Sequence, residues 1–238
     1  MALPPLVLLH GIGSRRQVWD PIVPALAERF AVTALDLPGA SVPALADRVL
    51  ALVPPPFHVA GSSMGGGVAL ELGRRGQALS VTAFAPIGFW GTVSRRWCQV
   101  SVTAARVCAR SCSPALPRVA ATAAGRVALF GLFFGHPTRV DPVAGVADAR
   151  ALAAWPGFRT ARDAFAHHRF TDPGGLTDVP VTVVWGARDL ILPAFQARRA
   201  ARLLPAARHI RLAGCGHLPF ADDPDACLAA FPTGPSVA

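Results

Sequence analysis

The chain has 238 residues, 52% of them hydrophobic and 16% charged, which suits one well-buried core and excludes a disordered chain. Its formal charge is +9, yet all 23 basic side chains are arginine, and lysine, asparagine and tyrosine are absent altogether. That is a bias of composition, and the arginines stand singly or in pairs such as Arg15-Arg16 and Arg74-Arg75, without the dense basic block of a nucleic-acid-binding face.

In chain order, Leu6 to Leu9 is a short apolar strand. Asp20-Pro21 then offers an N-cap and a first-turn proline for a helix carrying Ile22, Val23, Leu26 and Phe30. Ala31 to Leu35 is a second strand, ended by Pro38-Gly39, and a helix with Leu45, Val49, Leu52 and Val53 on one face runs up to three prolines. Phe57 to Ala60 is the third strand, Met64 to about Gly76 a helix, and Leu79 to Phe84 the fourth strand. From about Gly88 to Thr171 the pattern is helical: one stripe of Val93, Trp97, Val100, Ala104 and Val107, another of Val127, Leu129, Phe130, Leu132 and Phe133, a helix opened by Asp141-Pro142, and one from Thr160 to Phe170. Strands resume at Val181 to Trp185 and Arg208 to Leu212, separated by a helix started by Pro193. Asp223-Pro224 opens the last helix, with Asp222 and Asp223 as its capping residues.

Continuous apolar strands alternating with helices indicate an α/β fold with a mostly parallel, doubly wound sheet of about six strands. The expected division is a core of residues 1–87 and 172–238 with a helical cap inserted at 88–171, placed over the carboxyl edge where open α/β sheets hold ligands. No stretch reaches membrane-spanning length without Arg, Pro or Gly, and the N-terminal apolar run lacks a basic start, so stable membrane insertion is not expected and a cytoplasmic location is. Five cysteines without a C-x-x-C pair argue against a disulfide framework and a zinc site. The adjacent His167-His168 would point to different sides of a helix, so no metal is expected there either.

Gly61-Ser62-Ser63-Met64-Gly65 reads G-x-S-x-G where the third strand meets a helix. A serine on so tight a turn is held in an unfavourable backbone conformation with its hydroxyl exposed, and flanking residues without a Cβ permit the close crossing. Asp189 follows the strand ending at Trp185, and His217 sits in the glycine-rich turn after the last strand. A serine hydroxyl needs a base to take its proton, and the imidazole needs a buried carboxylate to fix its tautomer, so Ser63, His217 and Asp189 are the candidate nucleophile, base and acid. Asp36 is the strongest rival acid, although its DLPG context reads first as a turn.

With His10-Gly11-Ile12-Gly13 after the first strand, the DLPG turn at Asp36–Gly39 and the ending Gly214-Cys215-Gly216-His217-Leu218-Pro219-Phe220, the chain resembles the α/β-hydrolase superfamily, in particular its small cap-bearing serine esterases. The resemblance covers nearly the whole chain in element order, although two N-terminal antiparallel strands common in the family have no counterpart before His10. It implies an oxyanion hole made by the backbone N–H groups of Ile12 and Met64, with His10 bracing that loop, and a carboxylic ester, lactone or thioester with a partly hydrophobic acyl group as substrate. No cofactor is implied. Carbon–carbon bond hydrolysis, cofactor-free perhydrolysis and a low-turnover ligand-binding role use the same scaffold. Gly131 and Gly135, around Phe133-Phe134, are expected to loosen that part of the cap.

Overall fold

The computed structural model describes residues 2–232; Met1 and residues 233–238, the extreme ends of the expected core segments, lie outside them. Six strands, β1 (Pro5–Leu9), β2 (Ala31–Leu35), β3 (Phe57–Ser62), β4 (Ala78–Phe84), β5 (Val181–Gly186) and β6 (Arg208–Leu212), form one sheet in the order β2-β1-β3-β4-β5-β6. Every neighbouring pair is parallel. Successive strand residues point to opposite faces, and both faces are covered. Val7, Leu9, Val59, Val81 and Val183 join one core, while Leu6, Leu8, Ala60, Phe84 and Val184 join another with Trp19, Phe220 and Phe231. This two-sided burial is why the central strands are written as unbroken apolar runs. The order reverses between β1 and β3, so the connections leaving these two strands diverge and open a crevice at their carboxyl ends.

The helices of the core are α1 (Val23–Ala27), α2 (Val42–Leu52) and α3 (Met64–Arg74) in the first half. Between β4 and β5 stand five more, α4 (Thr92–Ser111), α5 (Leu116–Ala120), α6 (Ala123–Phe130), α7 (Pro142–Ala154) and α8 (Phe158–Ala166), followed after β5 by α9 (Phe195–Leu203) and α10 (Pro224–Leu228). Inserted helices have a small core of their own in Leu116, Ala120, Phe130, Val140 and Val146.

Several helix signals resolve differently from the sequence expectation. Asp20 closes a short 3-10 turn at Arg16–Trp19, and α1 starts only after Ile22, with Pro24 and not Pro21 in its first turn. Pro193 lies in a turn, two residues before α9. Asp223 does cap α10, accepting from Ala226 N–H at 3.0 Å, but the Asp222 carboxylate points elsewhere. The largest difference is in α4. Its apolar stripe faces outward, with Val93 83%, Trp97 47%, Val100 63% and Val107 56% exposed, while Ser94, Cys98, Ser101, Val102 and Ala109 are buried. Small side chains on the inner face let α4 lie close against α7 and the space beneath it. Trp97 uses its indole N–H on Leu190 C=O at 2.6 Å.

The β3–α3 turn is a tight crossing at the crevice. A Cβ built on Gly65 would stand 2.2 Å from Leu9 O and 2.7 Å from His10 O, both backbone atoms that cannot swing away. Gly65→Ala is therefore expected to destabilise the protein by about 1–3 kcal/mol or more. Gly91→Ala, where a Cβ meets nothing within 4 Å, is expected to stay within about 1 kcal/mol of wild type. Urea unfolding of the two variants checks the contrast.

Candidate active site

Ser63 occupies the point where β3 becomes α3, with φ 56 and ψ −112. A residue bearing a side chain adopts such a conformation at a cost of about 1–3 kcal/mol, so the surroundings must impose it. They do so through the backbone. Ser63 N–H donates to Phe84 O at 2.8 Å, and Ser63 C=O accepts from Gly67 and Ile87 N–H, both at 3.1 Å. A Cβ on Gly61 would lie 2.0 Å from Gly65 O, so the turn closes only with glycine there. Met64 is the first residue of α3, and an N–H at that position has no acceptor within its own helix.

Asp189, past the end of β5, and His217, past the end of β6, are both 4% exposed. The Asp189 carboxylate is fully engaged. Oδ1 accepts from Ile191 N–H at 2.9 Å and Leu192 N–H at 2.8 Å, and Oδ2 lies 2.8 Å from His217 Nδ1. A carboxylate can only accept, so the proton belongs on Nδ1, which leaves Nε2 as the acceptor nitrogen of the neutral ring. Ser63 and His217 line the same cavity, but Ser63 Oγ forms no hydrogen bond among the described residues. The acid and base are thus joined directly, and the serine shares their cavity without a bond to the ring.

The loop after β1 passes against the serine. A Cβ on Gly11 would come within 3.1 Å of Ser63 Cβ and 3.7 Å of Ser63 Oγ. His10 holds that loop, with Nδ1 2.7 Å from Gly11 O and Nε2 accepting from Leu37 N–H at 2.8 Å. Burial keeps its pKa below the usual imidazole range, against the upward pull of the Gly11 carbonyl and of Asp36. Asp36, the rival acid, sits beside His10 and accepts from Arg16 N–H at 2.8 Å; His217 has Asp189 instead.

Ser63 and His217 open into a cavity of about 300 Å³ roofed by the inserted helices. Val102, Ala105 and Ala109 of α4, Leu116 of α5, Phe130 of α6 and Leu152 of α7 form its walls, with Phe133 and Phe134 beside His217. Of the aromatic residues in the insertion, these three phenylalanines face the cavity. Phe89, Trp90, Phe158, Phe165 and Phe170 belong to the main core. Asp148 is the one formally charged residue on the lining, and Arg15 Nε donates to it at 2.9 Å. Burial raises the Asp148 pKa, and Arg15 pulls it back down. The sequence carries no signal for this pair, because α7 is alanine-rich with little periodicity to orient it.

Because folding keeps His10 neutral, its pKa in the folded state lies below that of the unfolded chain, about 6.5. Above that value its contribution to stability is complete. On acidification the unfolded chain takes up the proton first, and stability falls by up to about 1.4 kcal/mol per pH unit until the folded-state pKa is reached. Urea midpoints between pH 7.5 and 5.5 should show this fall, and His10→Gln should make it shallower while lowering stability at pH 7.5, with His58 and His168, whose pKa values burial also lowers, supplying the remainder.

Comparison with known proteins agrees with this fold. A model described as Alpha/beta hydrolase family matches residues 6–230. A pimeloyl-[acyl-carrier protein] methyl ester esterase of Aromatoleum aromaticum is 31% identical, over 95% of this chain and 96% of its own length. The enzyme of the same name from Aeromonas hydrophila is 46% identical over a shorter match of 80 residues, 32% of that protein. Among solved structures, a hydrolase from Pseudomonas aeruginosa superposes with a TM-score of 0.73 at 22% identity, covering 96% of this chain and 88% of that one. The chain belongs to the alpha/beta hydrolase family.

Proposed function

We propose that the protein is a serine hydrolase that cleaves carboxylic esters of an uncharged, partly hydrophobic acyl group through an acyl-enzyme. The observation that carries this reading is the opening of a strained serine and a carboxylate-bound imidazole into one apolar cavity. In the proposed reaction Ser63 Oγ attacks the ester carbonyl as its proton passes to His217 Nε2, the two atoms closing to hydrogen-bond distance when substrate is bound. Asp189 stabilises the imidazolium that forms. The developing oxyanion is received by the N–H groups of Ile12 and Met64, which lie on the loop against the serine and at the free end of α3. Collapse releases the alcohol with the proton from Nε2. Water, deprotonated by the same nitrogen, then cleaves the acyl-serine bond. None of these steps needs a metal or an organic cofactor.

Residues 88–171 act in this reading as a cap whose inner surface receives the acyl chain. The cavity favours an uncharged acyl group, because among the described residues its lining is mostly apolar and offers no free cation, Asp148 being already paired with Arg15. That disfavours the acidic dienoates taken by carbon–carbon bond hydrolases of the same fold. The Aromatoleum aromaticum relative is named as a pimeloyl-[acyl-carrier protein] methyl ester esterase, which supports an ester as the substrate.

Ser63→Ala is expected to lower kcat toward p-nitrophenyl butyrate by about 10⁴-fold or more without unfolding the protein. Turnover at the wild-type rate would remove the assignment. Ser63→Gly should be equally inactive yet about 1 kcal/mol more stable than Ser63→Ala, since glycine accepts the positive φ at no steric cost. Thermal unfolding of the two variants decides it.

A further inference from the structure

The inserted segment at residues 133–136 and the turn that carries His217 meet backbone to backbone. A Cβ on Gly135 would stand 1.8 Å from Gly214 O, and one on Gly216 would stand 2.6 Å from both Gly135 N and Phe133 O. The expected looseness at Gly135 is therefore replaced by a clamp. At its centre is the Asp222 carboxylate, 5% exposed. Oδ2 accepts from Gly135 N–H and from Gly216 N–H, both at 2.8 Å, and Oδ1 accepts from His136 N–H at 2.8 Å. Two of these donors belong to the insertion and one to the residue immediately before the catalytic imidazole. On the other side of that imidazole, Leu218 N–H donates to Phe133 O at 2.9 Å. Arg188, next to Asp189, adds a bond from its guanidinium to Gly135 O at 3.2 Å and one from its N–H to Cys215 O at 2.8 Å.

We propose that Asp222 is a positioning residue that holds the His217 turn and the Phe133–Phe134 wall of the acyl cavity as a single unit, so that the orientation of the base and the selection of the acyl chain are set together. Resting on the esterase reading of the same site, this adds a group that touches neither substrate nor reacting atoms. A carboxylate suits the task because its two oxygens accept several N–H groups from different directions at once, and ionised acceptors make the shorter, stronger bonds. The geometry of the two walls does the rest. Phe133, Phe134, His217 and Leu218 all line the cavity, so a shift of either segment moves both the ring and the surface that the acyl chain lies against. An amide in place of the carboxylate keeps the shape but turns one acceptor into a donor facing an N–H, which pushes the two segments apart.

The test is Asp222→Asn, assayed with p-nitrophenyl acetate and p-nitrophenyl octanoate in the same sample. The ratio of the two kcat/KM values does not depend on how much of the protein is folded, so a merely structural role leaves it unchanged. The expected result is a fall in kcat of roughly 10- to 100-fold, as for a base displaced by about an ångström, with a shift of about fivefold or more in the octanoate-to-acetate ratio. An unchanged ratio overturns the proposal, whatever happens to kcat. A second measurement needs neither the variant nor any ester turnover. In wild-type protein the amide hydrogens of Gly135, His136 and Gly216 should exchange with matching protection, within about threefold, because one carboxylate releases all three. Protection of Gly216 differing tenfold or more from that of the other two also overturns it, and this readout stands even if the ester assignment fails.

Discussion

Where β3 turns into α3, two backbones pass at a distance that leaves no room for a Cβ on either Gly61 or Gly65, and the carbonyls of Leu9 and His10 close the third side. This steric constraint fixes several things at once. It forces Ser63 into a positive φ, brings the free end of α3 to the carboxyl edge of β1, and lays the Gly11 loop against the serine side chain. Ser63 N–H donates to Phe84 C=O and Ser63 C=O accepts from Gly67 and Ile87 N–H, so neighbouring backbone holds the strained turn. Asp189 and His217 arrive at the same edge from the ends of β5 and β6.

The inserted helices complete the site with a different kind of force. Their inner surface is apolar and made of small and aromatic side chains, so on the proposed reading it holds the acyl chain by removing area from water without directing it. Direction comes from the few polar groups at the rim: the Asp148–Arg15 pair on one side and the bonded backbone of residues 133–136 on the other. Arg15 and Asp148 are each about one-third exposed, which makes their attraction worth little to stability. Its effect is to keep a lone carboxylate from facing the cavity unpaired.

The central strands of the sheet were legible, because burial on both faces makes them largely apolar; β6 is largely exposed and its two apolar residues alternate with charged and polar ones. The contact between Asp189 and His217 was legible too, because each stands a few residues past the carboxyl end of a strand in the same sheet. Helix starts were less so. Pro21 and Pro24 both fit a first turn, and the choice between them depends on how Trp19 and Ile22 pack. For α4 the hydrophobic pattern pointed the wrong way. A stripe containing Trp97 looks like a core face, whereas close approach to α7 selects the face of serine, cysteine and alanine. Asp222 and Asp223 are adjacent and equally suited to capping α10, and only the arrival of a segment from the middle of the chain separates their tasks.

The connection between β4 and β5 has a consequence for how the molecule comes into being. The part of the sheet that bears Ser63 is made from the chain up to Phe84, whereas Asp189 and His217 stand beyond the whole helical insertion. During synthesis from the N-terminus, the serine turn therefore emerges long before these two residues. They join it only when β5 finds β4 across that intervening length, a pairing distant enough in sequence to come late in folding. On the proposed reading, an incompletely made chain carries the hydroxyl without its base and remains chemically silent.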